Sequence, residues 1–195
     1  MSDTTPITTA PLTEVLARRP RRADARRNHD ALLDAARDVF ATSGADAPLE
    51  EIARRANVGI ATLYRNFPTR QELLEAVYVH EVQALVATAG ELADQPAWEA
   101  LETWLRRFVE YTATKRAILE ELAGGSPLFA TCFDAIVGAG EPLLVQAQEA
   151  GRARRDVTFD DVLRLISSVT MMPGTEDGQR ARIAGIAIDG LRVRS

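Results

Sequence analysis

The chain has 195 residues, of which 46% are hydrophobic, so it can bury a substantial core and is not a disordered protein. Its net charge of −5 argues against a simple polycation that binds nucleic acid by charge alone. The charge is uneven, because residues 1–70 hold eleven Arg and nine acidic residues whereas residues 71–195 hold twelve basic and nineteen acidic residues. One end of the chain is therefore suited to a polyanion.

The N-terminal segment, residues 1–23, is predicted to be a flexible basic arm. It is rich in Thr and Pro up to about Leu16, and six Arg then fall between residues 18 and 27 against one acidic residue, Asp24. A flexible basic arm can follow the phosphate backbone of DNA or enter its minor groove. This makes Arg21 and Arg22 candidate DNA contacts. The alternative is a solvated run of charges.

Residues 24–70 are predicted to form a three-helix domain. The first helix carries an apolar stripe at helical spacing and ends at Gly44. The second ends at Asn57, which tolerates the left-handed backbone that terminates a helix. The third covers residues 60–67 and is stopped by Pro68. Two short helices joined by a brief turn that contains glycine match the helix-turn-helix pattern.

The third helix presents an unusual set of side chains to solvent. Leu63 and Phe67 lie four residues apart and can anchor it to a core. Its opposite side carries a methyl group, two hydroxyls, a guanidinium and an amide, all able to contact phosphates or base edges in a major groove. These belong to Ala61, Thr62, Tyr64, Arg65 and Asn66. The alternative is an ordinary helical hairpin with a solvated polar face.

A capping-box motif follows at the start of a fourth helix, with Thr69 at the N-cap and Glu72 three residues later. Arg70 lies at the same helix N-terminus, where backbone N–H groups and a cation can bind a phosphate. We therefore add Thr69 and Arg70 to the candidate DNA contacts. Tyr64 and Arg70 are expected to contact phosphates, and Arg65 is expected to contact a guanine.

Two stretches of this region carry a specific motif. They read L-D-A-A-R-D-V-F-A-T-S-G, ending at Gly44, and I-A-R-R-A-N-V-G-I-A-T-L-Y-R-N-F-P-T-R-Q-E-L-L, beginning at Ile52. Together they resemble the DNA-binding domain of the TetR family of bacterial transcriptional regulators. The departures are Asn57 in place of Gly, Gly59 in place of Ser or Thr, and Arg70 in place of Lys. Asn accepts the left-handed turn as Gly does, Gly is a tolerated N-cap, and Arg keeps the positive charge of Lys.

The rest of the chain, residues 71–195, is predicted to be a larger helical domain. A long helix runs from Thr69 to about residue 89, and helical periodicity resumes at residues 98, 128, 142, 157 and 176. Residues 142–150 are predicted to be a helix of their own. No stretch alternates like a strand, so the chain is predicted to be all-α. The resemblance implies an N-terminal helix-turn-helix head followed by an effector-binding and dimerisation domain.

Large apolar side chains cluster in the middle of the chain. The resemblance implies that the helices there enclose a small-molecule pocket. The candidate lining residues are Trp104, Phe108, Tyr111, Phe129, Phe133 and Met171. The alternative is that these side chains form ordinary core, and the effector cannot be named from the sequence.

Two C-terminal helices are predicted to pair with their copies in a symmetric four-helix interface. Residues 183–188 are apolar all round although they lie near the end of the chain, where a monomer would keep a polar face. The candidate interface residues are Val162, Leu165, Ile166, Val169, Ile183, Ile186, Ala187 and Gly190. The alternative is that both helices complete the internal core.

The predicted function is a ligand-responsive repressor that binds a palindromic operator in double-stranded DNA as a homodimer. The alternatives are an activator or a DNA-binding regulator without an effector. An enzyme is not supported, because the sequence has no catalytic triad set, paired carboxylates with a base, or glycine-rich phosphate loop. Cys132 is the only cysteine, and His29 and His80 have no ligand-spaced partners, so neither metal nor cofactor is expected.

The expected location is the cytoplasm. Residues 1–11 lack the apolar core of a signal peptide. No apolar run approaches the roughly 18–20 residues of a membrane helix, so no membrane partner is expected.

Overall fold

A computed structural model describes residues 23–119, 127–172 and 176–193. Eight helices and no strand occur within them. The helices are α1 (Ala23–Ser43), α2 (Leu49–Arg55), α3 (Ile60–Asn66), α4 (Arg70–Glu91), α5 (Ala97–Leu119), α6 (Pro127–Glu149), α7 (Phe159–Thr170) and α8 (Asp177–Asp189). The predicted all-α fold, with a small head and a larger C-terminal part, is confirmed.

Local sequence signals set the ends of the head helices. Gly44 follows α1 with φ +79°, and Asn57 follows α2 with φ +54°, so both adopt the predicted left-handed conformation. At the start of α4 the Thr69 hydroxyl accepts a hydrogen bond from the Glu72 backbone N–H (3.1 Å). The Glu72 carboxylate in turn accepts one from the Thr69 N–H (3.3 Å). The predicted capping box is therefore present.

The head is held together by apolar side chains from all three of its helices and from α4. Helices as short as α2 and α3 are not stable alone in water, so this packing is what maintains them. The fully buried members are Leu32, Ala36 and Phe40 of α1, Ile52 of α2, Leu63 of α3, and Leu73 and Leu74 of α4.

The C-terminal part is built on three long helices, α4, α5 and α6, that pack against one another. Trp104 of α5 is completely buried, and its indole N–H donates to the Leu85 carbonyl of α4 (3.1 Å). Gly140 of α6 lies against the rings of Trp104 and Phe159, where a Cβ atom would come within 2.6 Å and 2.3 Å of them. The glycine therefore sets how closely α6 approaches α5 and α7.

Helix α6 corrects the prediction of two separate helices in this region. Pro142 lies inside one continuous helix, Pro127–Glu149. A proline removes one backbone hydrogen bond and normally favours a break. Here Cys132 and Ile136 before it, and Leu144 and Ala147 after it, are buried in the same core. Burial on both sides of the proline thus outweighs its local effect.

The continuity of α6 has a second consequence for the sequence reading. Leu128–Glu149 is long and apolar enough to cross a membrane by length and composition, with a mean hydropathy of 1.5. The sequence analysis did not single it out because Pro142 divided it. In the structure it packs against α4, α5 and α7. One side of the helix forms part of the bundle core, and 39% of the apolar stretch is buried.

The last two helices pack against each other and against α5. Helix α7 begins with a second capping box, in which Thr158 is the N-cap and Asp161 the reciprocal partner. The chain end is tied to the loop after α6, because the Val193 N–H donates to the Arg152 carbonyl (2.9 Å). The Arg154 N–H likewise donates to the Leu191 carbonyl (2.9 Å).

Candidate nucleic-acid interface

The recognition helix α3 is fixed by two buried anchors and leaves its outer side accessible. Leu63 is fully buried and Phe67, directly after the helix, is nearly so. On the outer side Tyr64 is 48% exposed, and Ala61 and Arg65 are also exposed. Three of the five predicted groove-facing side chains therefore lie free on one surface, as a helix that enters a major groove requires.

The other two predicted residues of α3 are less free. Thr62 and Asn66 are half-buried. The Asn66 amide donates to the Thr62 carbonyl one turn earlier (2.8 Å). One N–H of the amide is thus engaged in its own helix, whereas this bond leaves the second N–H and the side-chain oxygen available for a base.

The side chain of Arg70 makes contacts that the sequence did not predict. Its guanidinium Nη1 donates to the carbonyls of Ala45 (2.6 Å) and Ala47 (2.7 Å), both in the turn between α1 and α2. The side chain is half-buried there. These contacts join the start of α4 to that turn, and the phosphate contact of Arg70 that the sequence predicts stays a prediction. The Thr69 hydroxyl is likewise used as a helix cap.

Helix α2 adds two cations that the sequence analysis did not single out. Arg54 and Arg55 are exposed and both donate to the Glu51 carboxylate, at 2.7 Å and 2.8 Å. Hydrogen bonds from both guanidiniums hold the pKa of Glu51 down at about 2. Opposite charges three and four residues apart on a helix lie side by side, so the sequence could have predicted both ion pairs with Glu51. Arg21 and Arg22 lie outside the described residues.

Four of the six predicted pocket residues come together in the bundle. Trp104 stacks on Phe108 (5.8 Å between ring centroids), and Phe108 lies 5.6 Å from Tyr111. Phe129 of α6 meets the same cluster by packing edge-on against Tyr78 (4.9 Å). The rings pack directly on one another. Phe133, by contrast, is exposed on the outside of α6, and Met171 is half-buried at the end of α7.

This aromatic cluster encloses polar groups that the sequence analysis did not assign to it. The Tyr111 hydroxyl donates to the Tyr78 hydroxyl (3.0 Å), and burial raises the pKa of both phenols. Burial also lowers the pKa of Lys115 and raises that of the Cys132 thiol to about 12. The Cys132 thiol and the two linked phenols line the same part of the core.

A buried carboxylate connects the head to the C-terminal bundle. Glu81 of α4 is 3% exposed. Its two oxygens lie 3.6 Å from the Arg37 guanidinium of α1 and 3.9 Å from the Arg107 guanidinium of α5. One charge on α4 thus attracts a cation on each of its neighbours.

The predicted dimer residues divide into two groups. Val162 and Ile166 are each 1% exposed and pack inside the chain's own core, so they are removed from the candidate interface. Leu165 and Ile186 are 46% and 70% exposed. Half-buried or exposed neighbours complete an apolar surface on α7 and α8, which we call the α7–α8 face: Val169, Ile183, Ala187 and Gly190. The helical period explains the division, since residues 162 and 166 share one side of α7 and residues 165 and 169 the next.

A helix-turn-helix head with an exposed recognition helix, attached to a larger helical bundle, defines a DNA-binding regulator. Comparisons with known proteins identify the family to which it belongs. The tetR family of bacterial regulatory proteins matches residues 32–77, and the SbtR-like C-terminal domain of transcriptional regulators matches residues 95–193. The chain belongs to the TetR family of transcriptional regulators, and the class of the family is not enzymatic.

Relatives and solved structures agree with this assignment. An uncharacterised HTH-type transcriptional regulator of Mycobacterium tuberculosis is 31% identical over 82% of this chain and 83% of its own length. A TetR transcriptional regulator from Streptomyces coelicolor is 37% identical, with a TM-score of 0.74 over 86% of this chain and 99% of that one. A TetR protein from Mycobacterium vanbaalenii is 36% identical, with a TM-score of 0.68 over 89% of this chain and 100% of that one.

Proposed function

We propose that this regulator is a homodimeric repressor that binds a palindromic operator and leaves it when a small molecule enters the C-terminal bundle. The observation that carries the proposal is the combination, in one chain, of an exposed recognition helix and an unpartnered α7–α8 face. Ile186, which belongs to that face, is 70% exposed. An apolar side chain this exposed at the rim of a bundle is typical of an interface between subunits.

A dimer explains how a short recognition helix selects its site. Helix α3 is only seven residues long and presents few side chains. Two copies related by a two-fold axis can read two half-sites about 34–36 Å apart, which doubles the number of base contacts. Such a protein acts on chromosomal DNA, and we therefore place it in the cytoplasm of a bacterium.

Helix α4 supplies the route from the bundle to the DNA. Its first turn lies directly after α3, and Thr69 caps it there. Two turns further along, Tyr78 lies in the aromatic cluster beside Tyr111 and Phe129. Glu81 follows, between Arg37 and Arg107. An effector that separates the rings of the cluster would move α4 and change the spacing of the two heads, because a helix transmits a displacement along its length. The free energy by which the effector weakens DNA binding is limited by the difference between its affinities for the two spacings of the heads.

The effector-independent alternative rests on the same cluster. Its rings contact one another without a ligand. A regulator whose core is filled by its own side chains needs no effector. The two proposals differ in whether any small molecule releases the DNA.

The first experiment is a fluorescence-anisotropy titration of the intact protein with duplexes tiled across the DNA upstream of its own gene. A random duplex is the control, and a salt series is recorded for both. One duplex bound far more tightly than the rest, with a steep salt dependence, supports the operator proposal. Release of that duplex by a compound from a small-molecule panel supports effector control. Equal, weak binding of all duplexes would mean either that the operator lies elsewhere or that the head does not read sequence, and a genome-wide selection of bound fragments separates the two.

The Arg65→Ala variant tests which residue reads the sequence. A guanidinium bidentate to a guanine contributes about 1–3 kcal/mol of discrimination, so we expect the preference for operator over random duplex to fall about 5- to 150-fold. Arg106→Ala removes an equally exposed cation from α5 and is the matched control. Equal losses on operator and random duplex would show that Arg65 does not contact a base.

A further inference from the structure

A cavity of about 330 Å³ opens on the head between α1 and α4, beside the C-terminal end of α3. We call it the α1–α4 groove. Its floor is apolar and includes the buried side chains of Leu33, Phe67 and Val79. It lies outside the aromatic cluster of the bundle. The groove is therefore a second concave site, close to the DNA-binding surface.

The rim of the α1–α4 groove is acidic. Asp30, Glu72 and Glu75 line it, against one cation, Arg65. The carboxylate oxygens of Glu75 and Glu72 take part in local hydrogen bonds on α4, which leaves their negative charge in place. Asp34, which does not line the groove, lies 3.5 Å from the His80 imidazole that does and 3.6 Å from the Arg37 guanidinium, so we do not count it toward the acidic rim. The shape and charge suit an occupant with both cationic and apolar side chains.

The chain contains a segment of this composition directly before α1. Arg18, Arg19, Arg21 and Arg22 precede Ala23, and Leu12, Val15 and Leu16 lie just before them. The three apolar residues have the i, i+3, i+4 spacing that brings side chains together on one side of a helical turn. We propose that residues 12–22 dock in the α1–α4 groove of the same chain, with Leu12, Val15 and Leu16 on its apolar floor and Arg18 or Arg19 at its acidic rim.

The length of the chain before α1 permits this docking. Helix α1 begins at Ala23, and Asp30 lies seven residues along it, about 10 Å at the rise of an α-helix. Residues 20–22, if extended, span about 10 Å as well. The chain can thus turn back along α1 and bring Arg19 level with Asp30. Because the segment is tethered so closely, its effective concentration at the groove is high, of the order of millimolar.

The docked segment lies at the DNA-binding surface. Arg65 and Asn66 line the same groove, so residues 12–22 would pack against the recognition helix. The arginines that the sequence analysis assigned to DNA would then also have an intramolecular site. This inference needs neither the effector nor the dimer, so its failure would leave the proposed function untouched.

Limited trypsin digestion of the intact protein tests the docking, with loss of residues 1–22 followed by mass spectrometry. The reference is a synthetic peptide of residues 1–28, in which the same bonds are free. We expect cleavage after Arg18, Arg21 and Arg22 to be at least about tenfold slower in the protein, because cleavage follows the undocked population. Cleavage at the peptide rate would overturn the proposal and leave the groove to a separate cationic ligand.

Charge variants show whether binding in this groove is what protects the segment from trypsin. Glu75→Lys places a cation at the acidic rim and should bring cleavage close to the peptide rate. Glu91→Lys makes the same charge change on the same helix away from the groove and should leave cleavage slow. Arg19→Glu should restore protection in the Glu75→Lys background if these two side chains meet. Equal cleavage of the Glu75→Lys and Glu91→Lys proteins would overturn the assignment.

Discussion

At the scale of single residues, Gly140 shows how one missing side chain determines the packing of the bundle. Its Cβ position is filled by the rings of Phe159 and Trp104, which are themselves buried. We expect Gly140→Ala to destabilise the protein by about 1–3 kcal/mol through overpacking, although alanine favours helix formation. The measurement is the free energy of unfolding in urea, monitored by circular dichroism.

Gly138 offers the matched control for this substitution. It lies in the same helix, and its Cβ position is open, with no atom within 4 Å. Gly138→Ala should therefore be neutral or stabilise the protein by up to about 1 kcal/mol, since only the helix propensity changes. If both variants changed stability alike, the close approach at Gly140 would not be the cause.

Arg70 is a residue for which structure and sequence predict different results on DNA. As a clamp on the carbonyls of Ala45 and Ala47, it contributes about 1–3 kcal/mol to the stability of the head. Arg70→Ala should then lower the melting temperature and weaken binding to every duplex, with the salt dependence unchanged. A lost phosphate contact would instead reduce the slope of log affinity against log salt by about 1.

Arg22→Ala is the comparison for the salt experiment. Arg22 belongs to the basic arm that the sequence analysis assigned to the phosphate backbone, so its removal should reduce the salt slope without lowering the melting temperature. A reduced slope for Arg70→Ala at an unchanged melting temperature would restore the sequence-based role of Arg70.

At the scale of elements, α2 carries a network of exposed charges that adds to the packing of its apolar side. Glu51 binds both Arg54 and Arg55, and its pKa lies at about 2 in the folded protein instead of 4.5. A depressed carboxyl pKa adds stability that is fully present above pH 4.5 and disappears as the pH falls toward 2. The melting temperature of the wild type should therefore exceed that of Glu51→Gln at pH 7. The difference between the two melting temperatures should vanish as the pH falls to the folded-state pKa of Glu51.

Glu50→Gln is the control for this pH series. It removes the same charge from the same first turn of α2, so both variants lose a similar interaction with the helix dipole. Only Glu51→Gln removes the carboxylate that the two arginines share. A pH-independent difference between wild type and Glu51→Gln would show that the network does not stabilise the head.

Helix ends were predictable from sequence because their signals are local. The left-handed Asn57 and the Thr69 capping box each depend on a few adjacent residues, and both were found where predicted. The continuity of α6 through Pro142 was missed because it depends on burial against distant helices. The same holds at the candidate site, where Arg70 reaches a turn more than twenty residues away. Sequence patterns identified the recognition helix, but long-range contacts determine which of its neighbours are free.

At the scale of the whole molecule, the α7–α8 face should decide whether the protein can bind an operator. Leu165 and Ile186 are its most exposed apolar side chains. A carboxylate at either position would be buried without a partner if two copies met there, and burying an unpaired charge costs more than such an interface gains. In the single chain the same side chain would lie in solvent, so the fold would be unaffected.

We therefore expect Ile186→Glu to convert the protein from dimer to monomer in size-exclusion chromatography with light scattering, with an unchanged circular dichroism spectrum. Val145→Glu adds the same charge at an exposed apolar position on α6 and should leave the dimer intact. Because each monomer carries one recognition helix, Ile186→Glu should also lose most of its preference for a two-half-site duplex over a single half-site. A dimer that survives Ile186→Glu but not Val145→Glu would move the interface to α6, and the two heads would then take a different spacing on DNA.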